Sequence, residues 1–200
     1  QFQQSPILDG GNVIKRDWFN YYPIDRTFNY RRIIIAADTA MKTKEHNDYS
    51  VFGVAGITEN NHLHILDWTR GKWEAPELER MALAVWNKFK INAKTGLTCN
   101  GIYIEDKASG TGLIQGLKTK YSIPVFGVQV PADKLTRTED ALPYIQSGYV
   151  FLPEKENYGF NPVLLAECEQ FSRDMSHKHD DQVDTLHILI KEGLSQNVVS

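Results

Sequence analysis

Apolar positions in this chain switch between two periods, and the order of the switches predicts an architecture. Arg32 to Asp38 is a run of β-branched and apolar residues closed by a carboxylate, the pattern of a buried strand. Tyr49 to Ile57 reads as a second strand, and Glu59-Asn60-Asn61 has turn chemistry. Leu63 to Trp68 alternates as a third strand, with Leu63, Ile65 and Asp67 on one face. Turns this short imply an antiparallel meander.

The period then becomes helical. Pro76 opens a helix where its missing N–H does no harm, and Leu78, Met81, Ala82, Val85, Trp86 and Phe89 form one apolar stripe. Gly101 to Glu105 is a fourth short strand, again ending in an acid, and Ser109 to Lys120 is expected to be a helix. Pro124 to Val130 predicts a fifth strand, followed by a polar loop from Pro131 to Thr138 and a helix to about Gln146. Gly148 ends that helix, and Tyr149 to Leu152 reads as a short edge strand. Asn161-Pro162 starts another helix running to about Phe171. The last helix begins near Asp180, with Val183, Leu186, His187 and Ile190 on one side. Three antiparallel strands followed by alternating helices and strands make an α/β or α+β layout, a mixed sheet with helices on its faces. Residues 1–30, irregular and aromatic-rich, are expected to wrap this domain or link it to something upstream, leaving 31–200 as the domain proper.

Composition narrows the class. With 200 residues, 42% hydrophobic and 24% charged, the chain suits one folded domain rather than a disordered one. Its longest apolar stretch stops at Asp38, far short of a membrane span, and the start Gln1-Phe2-Gln3-Gln4 has no signal-peptide pattern. The missing initiator Met is expected of a piece of a longer protein. Cys99 and Cys168 are far apart, in no metal-binding spacing, and fit a reducing compartment as small core residues. The net charge of -3 argues mildly against strong unaided binding to nucleic acid, but acidic metal ligands themselves lower the net charge.

The candidate chemistry lies in carboxylates. Two strands end in one, Asp38 and Glu105, and an acid at the end of a buried strand is unfavourable unless paired or metal-bound. A third group, His179-Asp180-Asp181-Gln182-Val183-Asp184, opens the last helix, with Asp181 and Asp184 three apart on one side. Singly, each acid suits a turn, an ion pair or, for Asp180, a helix cap. Together they can bind hard divalent ions, and two such ions about 3.5–4 Å apart clamp both oxygens of a phosphodiester displacement.

These motifs resemble the C-terminal nuclease domain of the large terminase subunit of tailed phages, in the ribonuclease-H-like superfamily. The resemblance runs through Ala36-Ala37-Asp38-Thr39, Asn47-Asp48-Tyr49-Ser50 and Ile104-Glu105-Asp106-Lys107-Ala108-Ser109-Gly110. It continues with Asp133-Lys134-Leu135-Thr136-Arg137, Ser147-Gly148-Tyr149-Val150-Phe151-Leu152-Pro153 and His179-Asp180-Asp181-Gln182-Val183-Asp184-Thr185, and the opening Gln3-Gln4-Ser5-Pro6 is similar to a linker after a motor domain. It implies a ribonuclease-H-like mixed sheet with helices on both faces. It also implies an endonuclease that cuts concatemeric double-stranded DNA when genome packaging starts and ends, using Mg²⁺ or Mn²⁺, two ions being expected. Asp38 and Glu105 are then metal ligands and catalytic. The third ligand lies among Asp180, Asp181 and Asp184, with Asp181 favoured because it satisfies both the terminase pattern and that of junction-resolving relatives. The implied partners are DNA, an N-terminal ATPase domain of the same subunit, the small terminase subunit and the portal. The implied setting is the cytoplasm of an infected bacterium.

Other features are weighed against this reading. Lys107, Lys134 and Arg137 are candidates for DNA-backbone contact, against plain surface charge. Gly110-Thr111-Gly112 has the wrong spacing to Gly116 for a dinucleotide fingerprint, and the sequence contains no Gly-x4-Gly-Lys-Ser/Thr phosphate loop, so ATP binding is not expected here. A junction resolvase or transposase-like nuclease, and a non-catalytic docking module for the portal or motor, are the alternatives.

Overall fold

The computed structural model describes residues 13–40, 49–131, 134–172 and 179–195. Its strands are β1 (Asn20–Tyr22), β2 (Tyr30–Asp38), β3 (Ser50–Thr58), β4 (Leu63–Gly71), β5 (Ile102–Glu105), β6 (Val125–Val128) and β7 (Val150–Pro153). Its helices are α1 (Ala75–Phe89), α2 (Ala108–Tyr121), α3 (Lys134–Gln146), α4 (Asn161–Gln170) and α5 (Asp181–Leu194). The strands make one sheet in the order β1-β7-β4-β3-β2-β5-β6. β2, β3 and β4 pair antiparallel, while β5, β6, β7 and β1 join in parallel. This is the mixed sheet that the sequence pattern predicts, in keeping with the fold that the resemblance implies.

Side-chain alternation divides the core into two layers, because successive residues of a strand point to opposite faces. On β2, Ile33, Ile35 and Ala37 join a cluster with Leu78, Ala82 and Val85 of α1 and Leu113, Ile114 and Leu117 of α2. Ile34 and Ala36 join the opposite cluster, with Leu164 and Leu165 of α4 and Val183, Leu186 and Leu189 of α5. Helices therefore cover both faces. Every residue of α5 from Asp181 to Ile190 is buried. The sequence pattern predicted a single apolar side; the helix is instead enclosed by the sheet, α3 and α4. Among the described residues, no helix is long and apolar enough to cross a membrane.

Three expectations are corrected. The stretch before residue 31 is not wholly irregular, since β1 pairs with β7 through Asn20↔Phe151, Tyr21↔Leu152 and Tyr22↔Pro153. Three residues are too few to show a period. For the same reason β7 is not an edge strand; it lies between β1 and β4. The aromatic residues around β1 hold it in place: Tyr22 stacks on His64 with ring centroids 4.5 Å apart and donates from its hydroxyl to the Ile65 carbonyl at 2.7 Å. Burial lowers the His64 pKa to about 4, so this ring is a neutral packing element. Finally, the polar stretch read as a loop to Thr138 is helical from Lys134 onward. Its polar residues mislead because Arg137 and Thr138 face inward.

Candidate metal centre

Strand parity places two acids on one face. β2 and β5 are parallel neighbours in which Ala36 aligns with Tyr103 and Ala37 with Ile104. The next residue on each strand is Asp38 and Glu105, so both carboxylates leave the sheet at the same end. Asp38 shares its face with Ile34 and Ala36, and Glu105 shares its face with Tyr103, all in the layer beneath α5. Both acids are buried. Gly110 lets the first turn of α2 close over this end of β5, because a Cβ there would collide with the Glu105 carbonyl oxygen.

The third acid comes from α5, which packs across β2 and β3. The start of this helix is fixed from α4. Glu167 accepts the Gln182 backbone N–H and its side-chain Nε2, both at 2.7 Å, and Trp68 Nε1 donates to Gln182 Oε1 at 2.9 Å. Asp180 occupies the cap position, yet its side chain makes no capping hydrogen bond. Glu167 supplies the acceptor that an N-cap would have supplied. Glu167 is not among the acids that the sequence pattern singles out, although an acid beside Leu164, Leu165 and Cys168 interrupts an otherwise apolar buried helix face.

Two cations tie the acids together. Lys107 Nζ lies 2.5 Å from Asp38 Oδ1 and 2.8 Å from Glu105 Oε2. Arg137, reaching in from α3, places Nη1 3.0 Å from Asp184 Oδ2 and Nη2 3.6 Å from Glu105 Oε1. Asp38, Glu105, Asp184, Lys107 and Arg137 thus form one buried network from four elements and a loop. Burial pushes the Asp38 carboxyl well above its ordinary value; the Lys107 ammonium opposes this, and Asp184 and Glu105 add to it. Burial pulls the Lys107 ammonium down, but Asp38 and Glu105 outweigh it and hold its pKa above the usual lysine value.

The network suits a hard divalent cation. Its anionic donors are carboxylate oxygens, and three carboxylates face two cations. An ammonium bridging Asp38 and Glu105 marks a point where both come within reach of a single positive charge. Among the described residues, no three His, Cys, Asp or Glu side chains stand in ready-made ligating positions, for the ammonium and guanidinium are interposed between the acids.

The remaining sequence candidates divide. Asp181 is buried in the first turn of α5, where its backbone carbonyl accepts the Thr185 hydroxyl, while Asp180 is half-buried just before the helix. Asp184 is tied to Glu105 through the Arg137 guanidinium and acts electrostatically on Asp38, and Asp181 lies one turn earlier in the same helix. Lys107 belongs to the acid network, with its side chain 40% exposed. Arg137 is corrected from an exposed loop cation to an inward-facing helical one, 7% exposed. Lys134 opens α3, and its side chain lies outside the described residues, as do Asn47-Asp48, Asp133 and the opening Gln3-Gln4-Ser5-Pro6. His179 packs edge-on against Tyr49, whose face carries Arg70 with its guanidinium carbon 3.7 Å from the ring centroid.

Comparison with known proteins agrees with this fold. Residues 35–192 match the family described as the terminase RNaseH-like domain. No curated protein sequence matches the chain closely enough to count as a relative. Among solved structures, the large terminase of a thermophilic bacteriophage in complex with ADP aligns with a TM-score of 0.67 at 12% identity, covering 92% of this chain and 45% of that one. The chain therefore spans less than half the length of that protein. The large terminase nuclease of thermophilic phage G20c with bound cobalt aligns with a TM-score of 0.63 at 16% identity, covering 93% of this chain and 99% of that chain. The human cytomegalovirus terminase nuclease domain aligns at 0.60 with 13% identity, over 88% of this chain and 92% of that one. Identities this low speak for the fold, and the family match, which takes in most of the sequence, speaks for descent: this chain belongs to the terminase RNaseH-like domain family.

Proposed function

We propose that this chain is the metal-dependent nuclease domain of a viral DNA-packaging terminase. In this reading it cuts concatemeric double-stranded DNA when packaging begins and ends, in the cytoplasm of an infected bacterium. An ATPase domain of the same subunit, a small terminase subunit and the portal are its partners. The observation that carries the reading is the meeting of Asp38, Glu105 and Asp184 on one face at one end of the sheet. The phage G20c terminase nuclease, solved with bound cobalt and with bound magnesium, supports divalent cations as the cofactor.

Asp38, Glu105 and Asp184 would hold the cation, with Asp181 next in rank from the same helix turn. Mg²⁺ or Mn²⁺, two ions when fully loaded, supplies charge relief on the phosphate and acidifies water at neutral pH. The chain's own groups prepare the site. The sheet fixes Asp38 and Glu105 through backbone pairing, and Glu167 fixes the helix that presents Asp184. Lys107, part-exposed beside both strand acids, can exchange a carboxylate for a DNA phosphate oxygen as its counter-ion. Lys134 is a second candidate for gripping the backbone.

Supercoiled plasmid incubated with the chain and Mn²⁺ tests this. Nicking and linearisation are expected, to be abolished by chelation and by Asp38→Ala. Equal nicking by the variant would assign the activity to a contaminant. A wild-type chain that neither nicks nor binds Mn²⁺ in calorimetry would end the proposal.

A further inference from the structure

Arg137 enters the acid network differently from Lys107. It is 7% exposed, and each of its three guanidinium nitrogens has an acceptor or counter-ion: Nε donates to the Pro131 carbonyl, Nη1 meets Asp184, and Nη2 meets Glu105. Those acids belong to different elements, β5 and α5, and Arg137 belongs to a third, α3. A guanidinium is planar and rigid, so its two outer nitrogens hold their partners at a set separation, as a flexible lysine ammonium does not.

We propose that Arg137 is a positioning residue of this site: its fork sets the spacing of the Glu105 and Asp184 carboxylates, and it makes no contact with DNA. The inference rests on the nuclease reading above and adds to it a residue that acts through the acids. Charge alone predicts the opposite response to removal. A cation acting only as a neighbouring charge would, once removed, leave the acids more attractive to a metal ion. A fork that sets ligand spacing would leave them less able to bind one, and partners that orient metal ligands typically contribute about 10–100-fold in affinity or activity.

The test uses Arg137→Gln and Arg137→Lys in the full chain, each checked for folding by thermal melting. Mn²⁺ affinity without DNA is read by calorimetry, plasmid nicking is read as kcat and KM, and DNA binding in Ca²⁺ is read against salt. Both variants are expected to bind Mn²⁺ about 10-fold more weakly and to lose about 10–100-fold in kcat, with KM and the salt slope unchanged. Failure of the Lys variant to recover is the signature of the fork, and that variant carries the test if the Gln variant does not fold. Unchanged or tighter Mn²⁺ binding, recovery by Lys, or a raised KM with a shallower salt slope would overturn the assignment. So would a lowered melting temperature with kinetics intact. A wild-type chain without Mn²⁺ affinity or nicking overturns the nuclease reading as well; an active wild type with unaffected variants overturns the role of Arg137 alone.

Discussion

Lys107 Nζ stands 2.5 Å from Asp38 Oδ1, and the two charges perturb each other in a buried place where neither is at ease alone. Burial is the main influence on Asp38 and the ammonium its main relief, with Asp184 and Glu105 working against ionisation. The balance leaves Asp38 pushed up to about 7 from an ordinary 3.8.

A carboxyl with a higher pKa in the folded protein keeps a proton that the unfolded chain has released. Its stabilising contribution is complete below about pH 4 and is lost as pH rises through about 7. Metal-free Asp38→Asn, which mimics the protonated acid, is therefore expected to escape this loss. From pH 4 to pH 8 the variant should gain on the wild type by on the order of 1–2 kcal/mol, on top of a pH-independent loss from leaving Lys107 with one counter-ion fewer. Parallel melting curves across that range would show that Asp38 titrates as an ordinary exposed acid.

Lys107→Ala removes a partner of two buried acids. Breaking one side of such a pair is expected to destabilise the metal-free chain by about 2–4 kcal/mol, since Asp38 and Glu105 are left facing each other. Mn²⁺ should then raise the melting temperature more in the variant than in the wild type. An equal increment in both would argue that the ammonium and the metal do not share a place.

Gly110→Ala puts a Cβ against the Glu105 carbonyl oxygen, and the helix start must move. The expected loss is about 1–3 kcal/mol, together with weaker Mn²⁺ binding, because Glu105 moves too. Gly112→Ala is the internal comparison: nothing lies within 4 Å of a Cβ there, and an exposed helical Gly replaced by Ala gains up to about 1 kcal/mol. Chemical denaturation of both variants decides, and matching effects would show that close approach at Gly110 is unimportant.

Glu167→Ala leaves the Gln182 N–H without its acceptor and Arg70, 3.4 Å away, without its counter-ion. A loss of about 2–4 kcal/mol is expected, with amide exchange rising first at the beginning of α5. Uniform protection along α5 in the variant would mean that the helix start is held by other contacts.

The strand and helix order was legible because it rests on periodicity, which each long element carries within itself. Asp38 and Glu105 stood out as acids ending apolar runs. The choice among Asp180, Asp181 and Asp184 was not legible, since it turns on how α5 is rotated, and α5 is buried on nearly every side, leaving no polar face to read. Arg137 was misplaced for a related reason: the polar stretch from Pro131 to Thr138 looks like a solvated loop when charge is taken to mean exposure. Here the arginine is drawn inward by acids distant in the chain. β1 escaped notice because its pairing with β7 is supplied wholly by a remote segment.

Because β2 and β5 are laid side by side and run the same way, the gap between Asp38 and Glu105 is set by main-chain pairing and owes nothing to the length of chain that joins the two strands. The hairpin at Glu59–His62 and the turn around Asn92–Leu97 can accordingly be lengthened, shortened or exchanged while the paired oxygens keep their distance. Such segments are free to vary while the acid cluster stays the same.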